Sequence, residues 1–261
     1  MSQPAVWMEC FAGDARIEAE TVEAVTDRFI DHAEASHDWS YPEVALSNYA
    51  RNYAEANLRL TGPTGRLAEI GEVSIHPVSE DRIDDWISFF DHDAFAGNPD
   101  WASCYCLDPH LPATEEEPER PWRTVRAAMV DLLRNGGAFG YLAYVDGATA
   151  GWVNASFRSE YGKYQEVDPA GPAPDSVAGV SCFIIAPPYR RHGLAAQLLD
   201  RVIADAVTRK VDWVEGYPYI NPEAGDPGHF RGPRSIYDAR GFEAIEERDR
   251  YTVMRRPAVI G

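Results

Sequence analysis

The sequence predicts an α/β (α+β) protein, and three observations carry that reading. Apolar residues make up 45% of the 261 positions and aromatic ones 11%, which suits a packed globular chain rather than a disordered one. Stretches with apolar steps of three and four alternate with short β-favouring runs. One junction, Val180 to Asp200, reads as strand, sharp loop and helix. The length allows one full core and a smaller second unit.

Taken in order, Val22, Val25, Phe29, Ile30 and Ala33 fall on one helical face. Ser40-Tyr41-Pro42-Glu43 reads as a capping box, with proline tolerated in the first turn. Leu46, Tyr49, Tyr53, Ala56 and Leu60 continue a second helix, and Thr61-Gly62-Pro63 stops it. Two amphipathic helices cannot bury their faces alone, so this hairpin packs on the rest of the chain or on a partner subunit, as in a homodimer. Glu72 to Val78 alternates as a strand. Ser79-Glu80-Asp81 then starts a helix whose buried face is Ile83, Trp86, Ile87 and Phe90. Ala113 to Pro121 is an acidic, proline-rich loop. Trp122, Val125, Met129, Leu132 and Leu133 mark the next helix. Phe139 to Val145 and Ala148 to Phe157, with Asp146-Gly147 between them, form a β-hairpin. After a polar connection comes the junction, then a strand at Asp212 to Tyr217, a long loop from Pro218 to Pro233, and a final strand pair near 242–247 and 251–255.

At the junction, Val180 to Ile185 suits a buried strand, and Pro187-Pro188 ends it. Apolar positions Ala195, Leu198, Leu199, Val202 and Ala206 follow at helical spacing. Basic and small residues therefore stand at a helix start, where amide groups lack intrahelical partners and the dipole favours an anion. Gly193 lets a diphosphate approach the backbone. Arg190-Arg191-His192-Gly193-Leu194-Ala195 resembles the Gln/Arg-x-x-Gly-x-Gly/Ala pyrophosphate loop of the GNAT acetyltransferase superfamily. Ile236-Tyr237-Asp238-Ala239-Arg240-Gly241-Phe242 is similar to the Phe-Tyr-x-x-x-Gly-Phe segment near the end of those domains. The alternatives are a chance Gly-rich turn and a Rossmann-type loop, and the latter would need Gly-x-Gly-x-x-Gly, which is absent.

The resemblance implies a GNAT fold: a mixed, mostly antiparallel, twisted sheet flanked by helices in residues 69–261, with residues 1–68 as an N-terminal helical hairpin extension. It implies an acyltransferase that moves an acetyl group from acetyl-CoA to the amine of a small molecule or peptide, directly and in a ternary complex. The backbone of Phe183, Ile184 and Ile185 would then serve the acetyl carbonyl and pantetheine, and Arg190, Arg191, His192, Gly193, Leu194 and Ala195 the diphosphate. Asn221 is a further candidate for the cofactor. The segment holding Trp101 and Tyr105 would wall the acceptor site, and both side chains offer flat apolar area with a polar tip. Tyr237 matches the tyrosine that returns a proton to the leaving thiolate; packing against the cofactor is its alternative. Some members carry a glutamate early on the central strand, but the corresponding place here is near Gly179 and holds no carboxylate. Glu215 on the next strand is the first candidate for the base, with ion pairing to an arginine as its structural alternative. Asp226 and His229 follow, and a water chain is a further route. A non-catalytic acyl-CoA-binding regulatory module and a transferase with another acyl donor stay open as other functions.

Composition sets exclusions. A net charge of −18 argues against nucleic acid as a partner and is compatible with a cationic acceptor. No apolar run reaches a membrane span of ~18 residues. The N-terminus shows no signal-peptide pattern. Four cysteines are too few for a disulfide scaffold, so a reduced, cytoplasmic protein is expected. Cys104-x-Cys106 with His110 has no usual zinc spacing, and no metal is expected.

Overall fold

The computed structural model describes residues 6–9, 15–36, 43–112, 120–221, 225 and 227–259. It opens with an antiparallel ribbon of β1 (Val6–Glu9) and β2 (Arg16–Ala19). Helices α1 (Val22–Ser36) and α2 (Glu43–Asn57) follow. Val25, Phe29 and Ala33 recur every four residues and share one face of α1; they cluster with Ala50, Tyr53 and Ala54 of α2 and with Ala19. The expected helical hairpin is present, and the ribbon is an addition. Arg16 to Ala19 is too short for its alternation to stand out from irregular chain. Residues 40–42 of the expected capping box and residues 113–119 of the acidic loop lie outside the described residues.

The rest of the chain builds one mixed sheet. Its strands are β3 (Val73–Pro77), β4 (Gly140–Val145), β5 (Ala148–Phe157), β6 (Val177–Ile185), β7 (Trp213–Gly216), β8 (Glu243–Glu247) and β9 (Thr252–Pro257). They lie in the order β3-β4-β5-β6-β7-β9-β8. Every pairing is antiparallel except β6 with β7, which are joined through α5 (Leu194–Asp205). Asp146 and Gly147 both take positive φ (50° and 83°), as a two-residue hairpin turn between β4 and β5 demands. All six residues of β4 are buried, as are the first eight of β6, which is why both read as unbroken apolar runs.

Side chains alternate across this sheet. Leu142, Trp152 and Ile184 meet α3 (Ile83–His92) and α4 (Trp122–Asn135) through Trp86, Phe90 and Met129. Tyr141, Val153, Val180 and Val214 meet α5 through Leu198, Leu199 and Val202. A short helix, α6 (Arg234–Asp238), precedes β8. Among the described residues no helix is long and apolar enough to cross a membrane.

Candidate active site

The site forms where the two parallel strands part. β6 pairs with β7 only from Val177 opposite Trp213 to Val180 opposite Gly216. Beyond that, β6 runs on to Ile185 while the chain after β7 turns away into the long loop. The Phe183 N–H donates to the Phe230 carbonyl at 2.5 Å, so the loop closes the parting from one side. The Ala186 N–H bonds the Ala150 carbonyl (3.0 Å), and alternation along β6 then turns the Ile184 amide toward β5. The same alternation turns the Phe183 and Ile185 amides toward the parting.

Two clefts flank this point. One, of about 390 Å³, is lined by Phe183 to Ile185, by Arg190, Arg191 and Gly193 to Ala196, and by Ser235 and Ile236 of α6. Gly193 caps α5 at φ 79°, and a Cβ there would meet nothing within 4 Å, so the helix start is open. The Arg190 Nε donates to the Ile185 carbonyl (2.9 Å), fixing that side chain across the loop. The second cleft, of about 400 Å³, is lined by Ser181, Cys182 and Ile184 of β6, by the segment around Cys104 to Pro109, and by Tyr164 and Arg231. Phe95, Trp101, Ile184 and Phe230 border both clefts.

The structure brings most of the expected residues together and leaves others outside. Arg190, Arg191, Gly193, Leu194 and Ala195 line the first cleft, with Phe183, Ile184 and Ile185 beside them. His192 does not; its Nε2 lies 3.1 Å from the Leu67 carbonyl. Trp101 lies edge-on to Phe230 at 5.3 Å between ring centres, on the shared border. Tyr105 is instead fully buried: its ring stacks on Phe90, its hydroxyl donates to Asp91 (2.6 Å) and accepts from Arg59, and it lines neither cleft. Asn221 is exposed and lines a separate hollow with Tyr219 and Arg250.

Tyr237 is fully buried, and its hydroxyl donates to the Arg231 carbonyl at 2.7 Å. Burial, and then the nearby Tyr164, push its pKa well above the usual value, so the phenol holds its proton. Its neighbours Ser235 and Ile236 reach the first cleft, whereas Tyr237 itself does not line it. Glu215 lines neither cleft. It accepts from Arg158 (3.0 Å), Arg255 (2.6 Å) and Tyr217 (3.1 Å), which is the ion-paired alternative of the sequence reading. His229 does line the first cleft, and Asp226 lies outside the described residues. At Gly179 a Cβ would come within 2.8 Å of the Tyr161 ring and of the Tyr217 hydroxyl, so two tyrosines fill the place where a carboxylate would stand.

Cys106 and Cys182 approach to 3.1 Å between sulfurs, and both are free thiols. Burial pushes the Cys104 thiol up to about 12. His110 lies apart from these sulfurs in its bonding, between the Glu160 carbonyl (3.0 Å at Nδ1) and the Asn154 amide (3.1 Å at Nε2). Phe230 and Arg231 were missed as site residues. The available signal was an aromatic and a cation, next to a histidine, between glycines and a proline in Gly228-His229-Phe230-Arg231-Gly232-Pro233.

Residues 99–223 match the acetyltransferase (GNAT) family. That family is a class of enzyme that takes its acetyl group from acetyl-CoA. No curated protein matches the sequence significantly. Similar solved structures include a GNAT-family acetyltransferase from Streptococcus pneumoniae at 14% identity, covering 71% of this chain and 99% of that one, with a TM-score of 0.41. An acetyltransferase from Thermus thermophilus shares 16% identity over 72% of this chain and 98% of its own, TM-score 0.44. The PaiA N-acetyltransferase from Thermoplasma acidophilum, solved in complex with coenzyme A, shares 12% over 71% and 99%, TM-score 0.43.

Proposed function

We propose that this chain transfers an acetyl group from acetyl-CoA directly to the amine of a small molecule or peptide, with both substrates bound at once. The observation that supports it is the pair of clefts meeting at Ile184 and Phe230, beside the parting of β6 and β7. The first cleft takes the cofactor, with its diphosphate at the start of α5 among Arg190, Arg191 and the loop amides. The Ile185 amide, turned toward the parting, is the donor for the pantetheine or the developing oxyanion, since the Phe183 amide is taken by the Phe230 carbonyl. The second cleft takes the acceptor, with Trp101 on its border. The division of the chain at 68/69 belongs to the same reading, since the transferase machinery lies wholly in residues 69–261.

Transfer needs the amine to lose a proton and the thiolate to gain one. Tyr237 is the acid in this reading: its hydroxyl exchanges the Arg231 carbonyl for the leaving sulfur. His229 takes precedence over Glu215 as base, because it lines the cofactor cleft and Glu215 is held by two guanidinium groups. The test is acetyl-CoA turnover against a panel of amines, read as free thiol, with calorimetric cofactor binding in parallel. Turnover supports the reading. Cofactor binding without turnover on a broad panel points to a non-catalytic acyl-CoA-binding module, and turnover only with another thioester points to a different donor.

A further inference from the structure

Among the described residues, Arg231 in the second cleft has no anion paired to it. Arg231 sits with its guanidinium carbon 4.5 Å from the ring centre of Tyr219 and 5.1 Å from that of Tyr251, with Tyr164 at 5.6 Å. Aromatic faces attract the charge but accept no in-plane hydrogen bond from it. The Arg231 Nε and Nη1 atoms are buried, and neither has a hydrogen-bond partner among the described residues. Buried donors without acceptors are uncommon, and a guanidinium fork matches a carboxylate.

Two further groups open into the same space. Tyr164 is 1% exposed and lines the cleft, and its hydroxyl is buried without a partner among the described residues. Burial keeps that phenol protonated, so it is a donor. The Ser181 hydroxyl, also buried, lines the cleft and makes no well-formed hydrogen bond among the described residues. The one carboxylate in the described lining, Asp108, is already paired with Lys163 at 2.5 Å. Arg120 adds a second guanidinium to the lining. The remainder of the wall is apolar, including Phe95, Leu107, Leu111 and Val125.

We propose that the acceptor is an apolar amino acid, its carboxylate held by Arg231 and Tyr164 and its side chain lying against the apolar wall of the second cleft. The inference rests on the acetyl-transfer reading for the role of the ligand, but not for its binding. The amine of such a ligand is the atom acetylated: its lone pair forms the N–C bond, the C–S bond breaks, and coenzyme A leaves as the thiol with the proton the amine gives up.

The test compares L-phenylalanine with its methyl ester and with phenethylamine, and L-leucine with its ester and with isoamylamine. Two readouts are used: kcat/KM with acetyl-CoA, and calorimetric binding to the full chain in the presence of coenzyme A. The free acids are expected to be preferred by at least ~100-fold, because a neutral analogue leaves the buried donors unpaired. Arg231→Met collapses that preference and Arg231→Lys restores part of it. Tyr164→Phe, which keeps the ring stacked 3.9 Å from that of Tyr217, lowers the preference about tenfold. Thermal melts of each variant separate this from misfolding. Equal use of acid and amine overturns the inference and leaves the acetyl-transfer reading standing. Selective binding of the acids without turnover supports the inference and removes the transferase reading. Binding of no acid, or preference for a phosphorylated amine over the acids, overturns the carboxylate assignment.

Discussion

Two buried titratable side chains show how tertiary partners decide what a residue does. Glu215 is fully buried between Arg158 and Arg255, whose side chains are 2% and 8% exposed. Removing one charge from such a group leaves the others uncompensated in a poorly solvated place. Glu215→Gln should therefore cost about 3–5 kcal/mol, a fall in Tm of about 10 °C for a chain of this size. Measured at a temperature where the variant is folded, kcat should change by less than about tenfold. A collapse of kcat with stability kept would restore Glu215 as the base. His110 gives a pH signature. Burial is the main influence on its pKa and lowers it, against the two hydrogen bonds that raise it. The native imidazole thus stays neutral at pH values where the unfolded chain, titrating near ~6.5, takes up a proton. Its contribution to stability is level above about 6.5 and falls as pH drops below it, by at most ~1.4 kcal/mol per pH unit. His110→Gln should flatten the Tm profile between pH 7 and pH 5 relative to the parent. An unchanged profile means His110 takes up its proton in the folded state as well. The sequence offered ion pairing as one of two readings of Glu215 without naming its arginines, and gave no sign of the place His110 takes. Trp101 and Tyr105 make the same point: four residues apart in one loop, they look alike until Asp91 and Arg59 claim the Tyr105 hydroxyl.

At the scale of elements, the junction of β6 with α5 was the most legible part of the molecule, because its signals are local. An apolar run, a Pro-Pro stop, a glycine at φ 79° and a helical stripe each act over a few residues. The course of the loop from Pro218 to Pro233 was not legible, since its position depends on the Phe230 carbonyl meeting the Phe183 amide 47 positions earlier in the chain. Nor does a four-residue ribbon strand such as β2 carry enough periodicity to be read. The open start of α5 yields a direct prediction. A side chain at Gly193 meets no neighbour, so Gly193→Ala costs only the strain of its positive φ, about 1 kcal/mol. Gly193→Glu adds a negative charge where the diphosphate is proposed to bind. Calorimetry should find acetyl-CoA binding weakened by at least ~100-fold for the glutamate, with a Tm close to that of the alanine variant. Equal affinity in the two variants would place the diphosphate elsewhere.

Over the whole molecule, the sequence showed that the N-terminal helices need a surface to cover them, but not which one. The surface is assembled from residues far apart in the chain. The Trp122 N–H at the start of α4 donates to Asn52 of α2 (2.9 Å), and Arg123 pairs with Glu55. Just beyond α2, Arg59 bonds Asp91 (2.6 Å) with its guanidinium 3.7 Å from the Trp122 ring centre, and Arg126 takes the other oxygen of Asp91 (3.0 Å). One carboxylate thus ties the end of the N-terminal unit to both α3 and α4. Arg59 and Asp91 are each 14% exposed and Arg126 is 33% exposed, so solvent screens the second pair more than the first. Asp91→Ala leaves two guanidiniums and the Tyr105 hydroxyl without their common acceptor. A loss of about 1–3 kcal/mol is expected, between the values for exposed and buried pairs. Because the two units have largely distinct apolar clusters, joined among the described residues only through Ala56 and Leu60, the loss should appear locally first. Limited proteolysis should then cut the connector at 61–71 faster in Asp91→Ala than in the parent, while acetyl-CoA affinity changes by less than about twofold. Equal cleavage rates would mean that the apolar contact of Ala56 and Leu60 with the main core holds the two units together without the ion pair.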